Sequence, residues 1–144
     1  MIKKEETKKI IGCVEIITLK GINSSKKVAA LIDTGATYTS VDKKIAEDIG
    51  FEKILRYVKI KLKASENDFI RRPMINLNIE LKNKIFDTEV NITDRSSMTF
   101  PVIIGRNILF NNFIVDVEKN NTSFKVDEFK EKFKNKIEDE LNGK

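Results

Sequence analysis

Apolar residues fall in short blocks along this chain, and their spacing changes from block to block. IIGCVEIITLKG (10–21) reads as one strand. VAALID (28–33) reads as a second, apolar at nearly every position, which is the pattern of a strand covered on both faces. The polar stretch INSSKK between them makes the two a long hairpin. YVKIKLKA (57–64) and MINLNIEL (74–81) alternate strictly, which predicts half-exposed strands, and IFDTEVNIT (85–93) returns after a tight KNK turn. SENDFIRRP (65–73) starts as a turn, and its Pro73 argues against a central-strand position for that residue.

Spacing of three to four marks the helices. In SVDKKIAEDIGF (40–51), Ile45 and Ile49 are four apart, Asp42 is a candidate N-cap and Gly50 a candidate terminator. FPVIIG (100–105) is another buried run, and RNILF (106–110) can start a short helix after Gly105. FIVDVE (113–118), a KNN turn and SFKV (123–126) predict a last hairpin. Over 127–144, Phe129, Phe133, Ile137 and Leu141 recur every fourth position, as in an amphipathic helix capped at Asp127. The chain thus divides into a charged, frayed N-terminus (1–9), one mostly-β, barrel-like domain (10–126) and a C-terminal helix (127–144).

Composition narrows the chemistry. A length of 144 residues suits one core. The chain has no His, which removes His-activated nucleophiles and His-ligated metal. Its one Cys, Cys13, cannot form an intrachain disulfide, sits in a strand-like apolar context and fits a reducing cytosol. No window approaches a membrane span and the first residues lack a signal-peptide pattern, so the expectation is a cytoplasmic protein with no membrane partner. The net charge of +5 permits nucleic-acid attraction, but Lys and Glu alternate along most of the chain and Lys far outnumbers Arg. That is the pattern of a solvated surface, and no nucleic-acid partner is expected.

Two apolar runs end in a Gly turn, ALIDTG and PVIIG. A buried strand that delivers an Asp into an Asp-Thr-Gly turn anchors the acid from below, and Gly lets backbone and substrate approach. Two adjacent carboxylates cannot both ionise, so such a pair shares one proton; one oxygen then activates a water while the other acid polarises the scissile carbonyl. Asp-Thr-Gly occurs once here, at 33–35. A single chain cannot supply both acids, whereas a two-fold dimer can. Taken alone, without the second motif, Asp33 reads by default as an ordinary turn residue.

The combination LIDTGAT and PVIIGRNIL, in that order, resembles the retropepsins, the retroviral-type aspartic proteases. IDTGATYTS, RRPMINLNIEL, VNITDRSSMTFPVIIGRNIL and FIVD are also similar to a prokaryotic group, retropepsin-like in fold, known under the name of ATP-dependent zinc proteases and often encoded beside ATP-grasp glutamate ligases. That name fits the residues poorly, since zinc normally takes His or Cys ligands and no phosphate-binding Gly-x-x-x-x-Gly-Lys-Ser/Thr loop is present. The resemblance implies an all-β acid-protease barrel, one lobe per chain, acting as a homodimeric aspartic endopeptidase on peptide or protein substrates without a cofactor or metal. It makes Asp33 the catalytic acid/base, Thr34 and Gly35 the support of the catalytic loop, and Gly35, Ala36 and Ile70 substrate-binding. Gly105, Arg106 and Asn107 become the structural motif. Two departures stand out. Retropepsins carry an acid after the Ala, paired with the Arg of Gly-Arg-Asn, where this chain has Thr37, and the flap segment (62–73) has no Gly.

The rival readings are a non-catalytic retropepsin-like dimer that binds peptides, and a basic nucleic-acid-binding barrel. Arg71 and Arg72 are candidates for an acidic substrate, with solvated side chains the favoured alternative. TDRSSM (93–98) reads as a structural turn.

Overall fold

A computed structural model describes residues 7–61 and 67–121. Ten strands and two short helices occur among them: β1 (Lys9–Ile11), β2 (Val14–Lys20), β3 (Ser25–Ile32), β4 (Ser40–Asp42), α1 (Lys43–Ile49), β5 (Arg56–Lys61), β6 (Phe69–Leu81), β7 (Lys84–Thr93), β8 (Val102–Ile104), α2 (Arg106–Leu109), β9 (Phe113–Val115) and β10 (Asn120–Asn121).

The expected hairpin is present, with β2 antiparallel to β3 from Val14↔Leu31 to Lys20↔Ser25. Strand pairing then continues β3–β8–β4–β7–β6 and returns to β2 through Thr18↔Glu80 to Lys20↔Asn78. A ring of six strands is therefore closed, which leaves the ring no free edge. Its interior is filled by alternate residues of each strand, among them Ile17, Leu19, Ala30, Val41, Ile75, Ile79 and Val102. The β6–β7 connection is the expected tight turn: Lys82 (φ 51°) and Asn83 (φ 63°) both take the left-handed region that a two-residue type I′ hairpin demands.

Several boundaries differ from the sequence reading. The 10–21 run is broken at Gly12–Cys13, so β1 leaves to pair in parallel with β9 while β2 enters the barrel. A side chain at Gly12 would sit 2.2 Å from the Lys119 carbonyl oxygen, which is why the break falls on glycine. β3 is not covered on both faces: Val28, Ala30 and Ile32 are buried, and the alternate Ala29 and Leu31 are only half-buried. Residues 40–42 form a strand before α1, and the Asp42 side chain does not cap the helix; its Oδ1 accepts from the Arg95 N–H at 2.8 Å instead. Gly50, at φ 79°, does end α1. β6 runs straight through Pro73, whose missing N–H falls just before the β7 ladder begins at Met74↔Asn91. Of the predicted last hairpin, β9 pairs in parallel with β1, and Asn120–Asn121, expected in a turn, form β10 and pair in parallel with β2. SFKV and the C-terminal helix of 127–144 lie outside the described residues.

Candidate active site

The two Gly-ended apolar runs, 72 residues apart in sequence, are neighbouring strands. β3 and β8 pair in parallel through Ala30↔Val102, Leu31↔Ile103 and Ile32↔Ile104. The Asp33 N–H continues the ladder to the Ile104 carbonyl at 2.9 Å. Buried Ile32 and Ile104 thus hold the backbone from which Asp33 emerges, and Asp33 itself is half-buried. Beyond it the chain turns back: Ala36 N–H donates to the Asp33 carbonyl at 3.2 Å, and Gly35 N–H donates to Asp33 Oδ1 at 2.9 Å. The second bond orients the carboxylate with a local side-chain-to-backbone contact. Thr34 and Gly35 are exposed at the tip. A Cβ at Gly35 would meet only Asp33 Oδ1, at 3.3 Å, so its own chain makes little steric demand for glycine there.

Gly105–Arg106–Asn107 clasps this turn from behind. Arg106 N–H donates to the Ala36 carbonyl at 2.8 Å and Asn107 N–H to the Thr37 carbonyl at 3.2 Å. A Cβ at Gly105 would stand 2.6 Å from the Tyr38 carbonyl carbon and 3.0 Å from the Ala36 oxygen, so the two backbones touch only because residue 105 has no side chain. Arg106 donates through Nη1 to the Thr34 carbonyl at 3.0 Å and through Nη2 to Thr37 Oγ1 at 3.1 Å. The threonine at the place of the retropepsin acid is thus the side-chain partner of Arg106, joined by a hydrogen bond with no opposite charge.

Thr39, absent from the sequence-based site, is the hinge of the clasp. Fully buried, it donates through both N–H and Oγ1 to Asn107 Oδ1, each at 2.9 Å, and Oγ1 accepts from Gly105 N–H at 3.1 Å. Asn107 Nδ2 donates onward to the Glu89 carbonyl at 2.9 Å, and buried Ser40 and Asn91 bond to each other at 2.8 Å, tying the turn to β7. The signal for Thr39 was the hydroxyl-rich run TYTS after the turn, but nothing in one sequence tells a buried hydroxyl from a solvated one.

Asp33, Thr34, Gly35, Ala36, Gly105, Arg106 and Asn107 form one unit, and Ile70 lies on β6, half-buried and opposite Ile60 of β5. Arg71 is exposed, as a solvated residue should be, but Arg72 is half-buried, and burial lowers its guanidinium below the usual range. Within TDRSSM, Asp94 and Ser96 form a turn, while Arg95 is half-buried and donates through Nε to the Phe100 carbonyl at 2.9 Å. Burial first, then the charge of Arg72, pushes the Arg95 guanidinium down, against the pull of Asp42 and Asp33. Among the described residues no group of three or more His, Cys, Asp or Glu is gathered so as to hold a metal ion, and no helix is long and apolar enough to cross a membrane.

The barrel, with its Asp-Thr-Gly turn clasped by Gly-Arg-Asn, is of the retropepsin class. A family profile for the retropepsin-like aspartic endopeptidase RimB matches residues 39–126, more than half of the chain, and the chain belongs to this RimB-like family. The match begins just after the Asp33 turn. Among solved structures, the chain is similar to Lpg0085 of Legionella pneumophila subsp. pneumophila strain Philadelphia 1, a protein of unknown function. The TM-score is 0.54 at 24% identity, covering 81% of this chain and 98% of that one. It is more loosely similar to the EIAV protease complexed with the inhibitor HBY-793 (TM-score 0.47, 17% identity, 67% and 83% covered) and to the simian foamy virus (mac) protease (TM-score 0.47, 19% identity, 65% and 88% covered). A search of the curated proteins finds no match.

Proposed function

We propose that two copies of this chain form an aspartic endopeptidase, each contributing Asp33 to a dyad on the two-fold axis. One Asp-Thr-Gly per chain makes the second copy necessary. In the dyad a shared proton relieves the repulsion of the two carboxylates. The ionised member takes a proton from water, and the protonated one donates a hydrogen bond to the scissile carbonyl. Thr34 faces the partner chain, and Gly35 and Ala36 border the substrate. The observation that carries the reading is the contrast between the two faces of the turn. Its back is bonded to Ile104, Arg106 and Asn107, whereas Thr34 and Gly35 at its front are exposed and Gly35 answers to no close contact but the Asp33 carboxylate. A glycine that its own chain does not need leaves room for something from outside.

The test is incubation of the wild type and Asp33→Asn with a diverse peptide library from acidic to neutral pH, beside sedimentation at micromolar concentration. Expected are a two-chain mass, and cleavage by the wild type alone that survives chelators and is blocked by a statine-type inhibitor. A monomer at every concentration, or equal cleavage by the Asn variant, contradicts the proposal. A dimer that binds peptides without cutting them would make the protein a non-catalytic binding module.

A further inference from the structure

Strand β6 is longer than the barrel that holds it. It pairs with β7 from Met74 onward and with β2 from Asn78, but Phe69–Pro73 pair with β5 alone. The overhanging hairpin has two unlike faces, as strand alternation requires. Val58, Ile60, Ile70 and Arg72 share one of them and are half-buried. The other carries Tyr57, Lys59 and Lys61 of β5, set opposite Pro73, Arg71 and Phe69 of β6. All of these but Pro73 are exposed, Tyr57 at 59% and Phe69 at 51%.

Charge is segregated on that exposed face. Along most of the chain Lys and Glu alternate, a pattern that gives no reason to expect a nucleic-acid partner. Here three cations and two aromatic rings stand together, and no residue of the face is acidic. Asp68, beside Phe69 in sequence, lies outside the strand pair. Among the described residues none of the three cations enters an ion pair. Lys59 and Arg71 lie directly opposite each other, a like-charge placement that costs stability and that an anion between them relieves. The Lys59 ammonium sits 5.3 Å from the centre of the Phe69 ring, so cation and ring form one platform. A merely solvated charged face needs no rings. Exposed rings flanked by unpaired cations match a polymer that carries both phosphates and unstacked bases.

We propose that the exposed face of the β5–β6 overhang binds single-stranded nucleic acid, with Lys59, Lys61 and Arg71 on phosphates and Tyr57 and Phe69 stacked on bases. By strand rise the face is about 13 Å long from residue 57 to residue 61, so it holds only a short stretch of strand. The contacts use phosphates and base faces, which RNA and DNA share, and they read no sequence. A duplex would satisfy the cations but keep its bases stacked inside, away from the rings. An acidic peptide would likewise leave the rings unused. The inference does not depend on the reading of Asp33, because binding here needs no hydrolysis and uses the face opposite the half-buried one.

The test uses the full chain and a short fluorescent oligouridylate, with binding followed by anisotropy as salt is raised. Three phosphate contacts on a single strand predict a log–log salt slope of about −2, so affinity should fall roughly twentyfold between about 50 and 200 mM salt. Unlabelled oligothymidylate should compete. Tyr57→Ala and Phe69→Ala should each weaken binding by about fivefold or more, the loss of one stacked base, and leave the slope unchanged. Tyr57→Phe keeps the ring and should keep the affinity; Phe69→Leu should show the same loss as Phe69→Ala and serves if that variant does not fold. Lys59→Gln and Arg71→Gln should each make the slope shallower by about 0.7. Lys26→Gln makes the same charge change at an exposed residue of β3 and should leave the slope as it is. No binding at the lowest salt overturns the inference. So does equal binding of the matching duplex or of an oligoglutamate peptide with no loss in the ring variants, which would make the face a general polyanion or acidic-peptide surface. An effect of Lys26→Gln equal to that of Lys59→Gln also overturns it, by assigning the attraction to net charge.

Discussion

Arg106 reaches across from α2 to donate to Thr37 Oγ1 at 3.1 Å, at the position where retropepsins carry an acid. Both residues are exposed, so the exchange of acid for threonine leaves a hydrogen bond in place of an ion pair. Thr37→Asp should restore the pair and raise stability by about 0.2–1 kcal/mol, the range of exposed ion pairs. Thermal melts at low and high salt check it: the gain should shrink as salt screens the charges. A loss of stability at low salt would show that the turn cannot accept the acid.

The two glycines of the site should respond in opposite ways. Gly105→Ala drives a Cβ into the Tyr38 backbone, at 2.6 Å, and should cost roughly 1–3 kcal/mol, as overpacking does. Gly35→Ala meets only the Asp33 carboxylate and should change single-chain stability by no more than about 0.5 kcal/mol. Its effect should fall on peptide hydrolysis and dimer formation. Denaturant unfolding at a dilution where chains are separate, set beside activity at high concentration, distinguishes the two; equal destabilisation by both would mean that Gly35 serves its own chain.

Asn107→Ala removes the acceptor of two Thr39 donors, and Thr39 has no exposure to water through which to replace it. Unfolding in urea should show a loss of about 1–3 kcal/mol, the cost of leaving a buried donor unpaired. Thr39→Val in the same background should cost less than it does alone, because the hydroxyl has already lost its acceptor.

The parts legible in the sequence were those written in local pattern. Alternation found β5 and β6, the run returning after the KNK turn found β7, the apolar runs found β3 and β8, and the Lys82–Asn83 turn and the Gly50 stop were visible from residue type. Parallel β3–β8 pairing could be expected only through resemblance, because the pairing joins residues 72 apart. What failed was what depends on tertiary surroundings. Asp42 looked like a cap, but a loop fifty residues away offers it the Arg95 N–H. Gly12 looked like one strand residue among others until Lys119 was seen against it. Arg72 and Arg71 are neighbours of the same type, and only strand alternation in a known register turns one inward.

Asp94 offers a test of local electrostatics. Its carboxylate is held below the usual range by the Ser96 hydroxyl, then by the Ser96 N–H, with Lys43 adding its charge. A carboxyl with a depressed folded pKa adds stability above its unfolded value and loses it as pH falls through the folded one. An NMR titration should place its midpoint below that of an ordinary Asp. Ser96→Ala should move it upward without returning it fully, because the backbone donor at 2.9 Å stays. An unmoved midpoint would assign the shift to the backbone and Lys43.

In the proposed peptidase each active site needs Asp33 from two chains. Mixing subunits tests it most directly. Asp33→Asn protein is added to a fixed amount of wild type and the chains are allowed to exchange before peptide cleavage is measured. If both acids are required, mixed dimers are dead. Activity per wild-type chain should then fall to about half in an equal mixture and to about one tenth in ninefold excess, as random pairing of two-fold dimers dictates. Activity that stays constant per wild-type chain, with exchange verified by mass, would mean that one chain carries out the reaction alone, and the dyad would be contradicted.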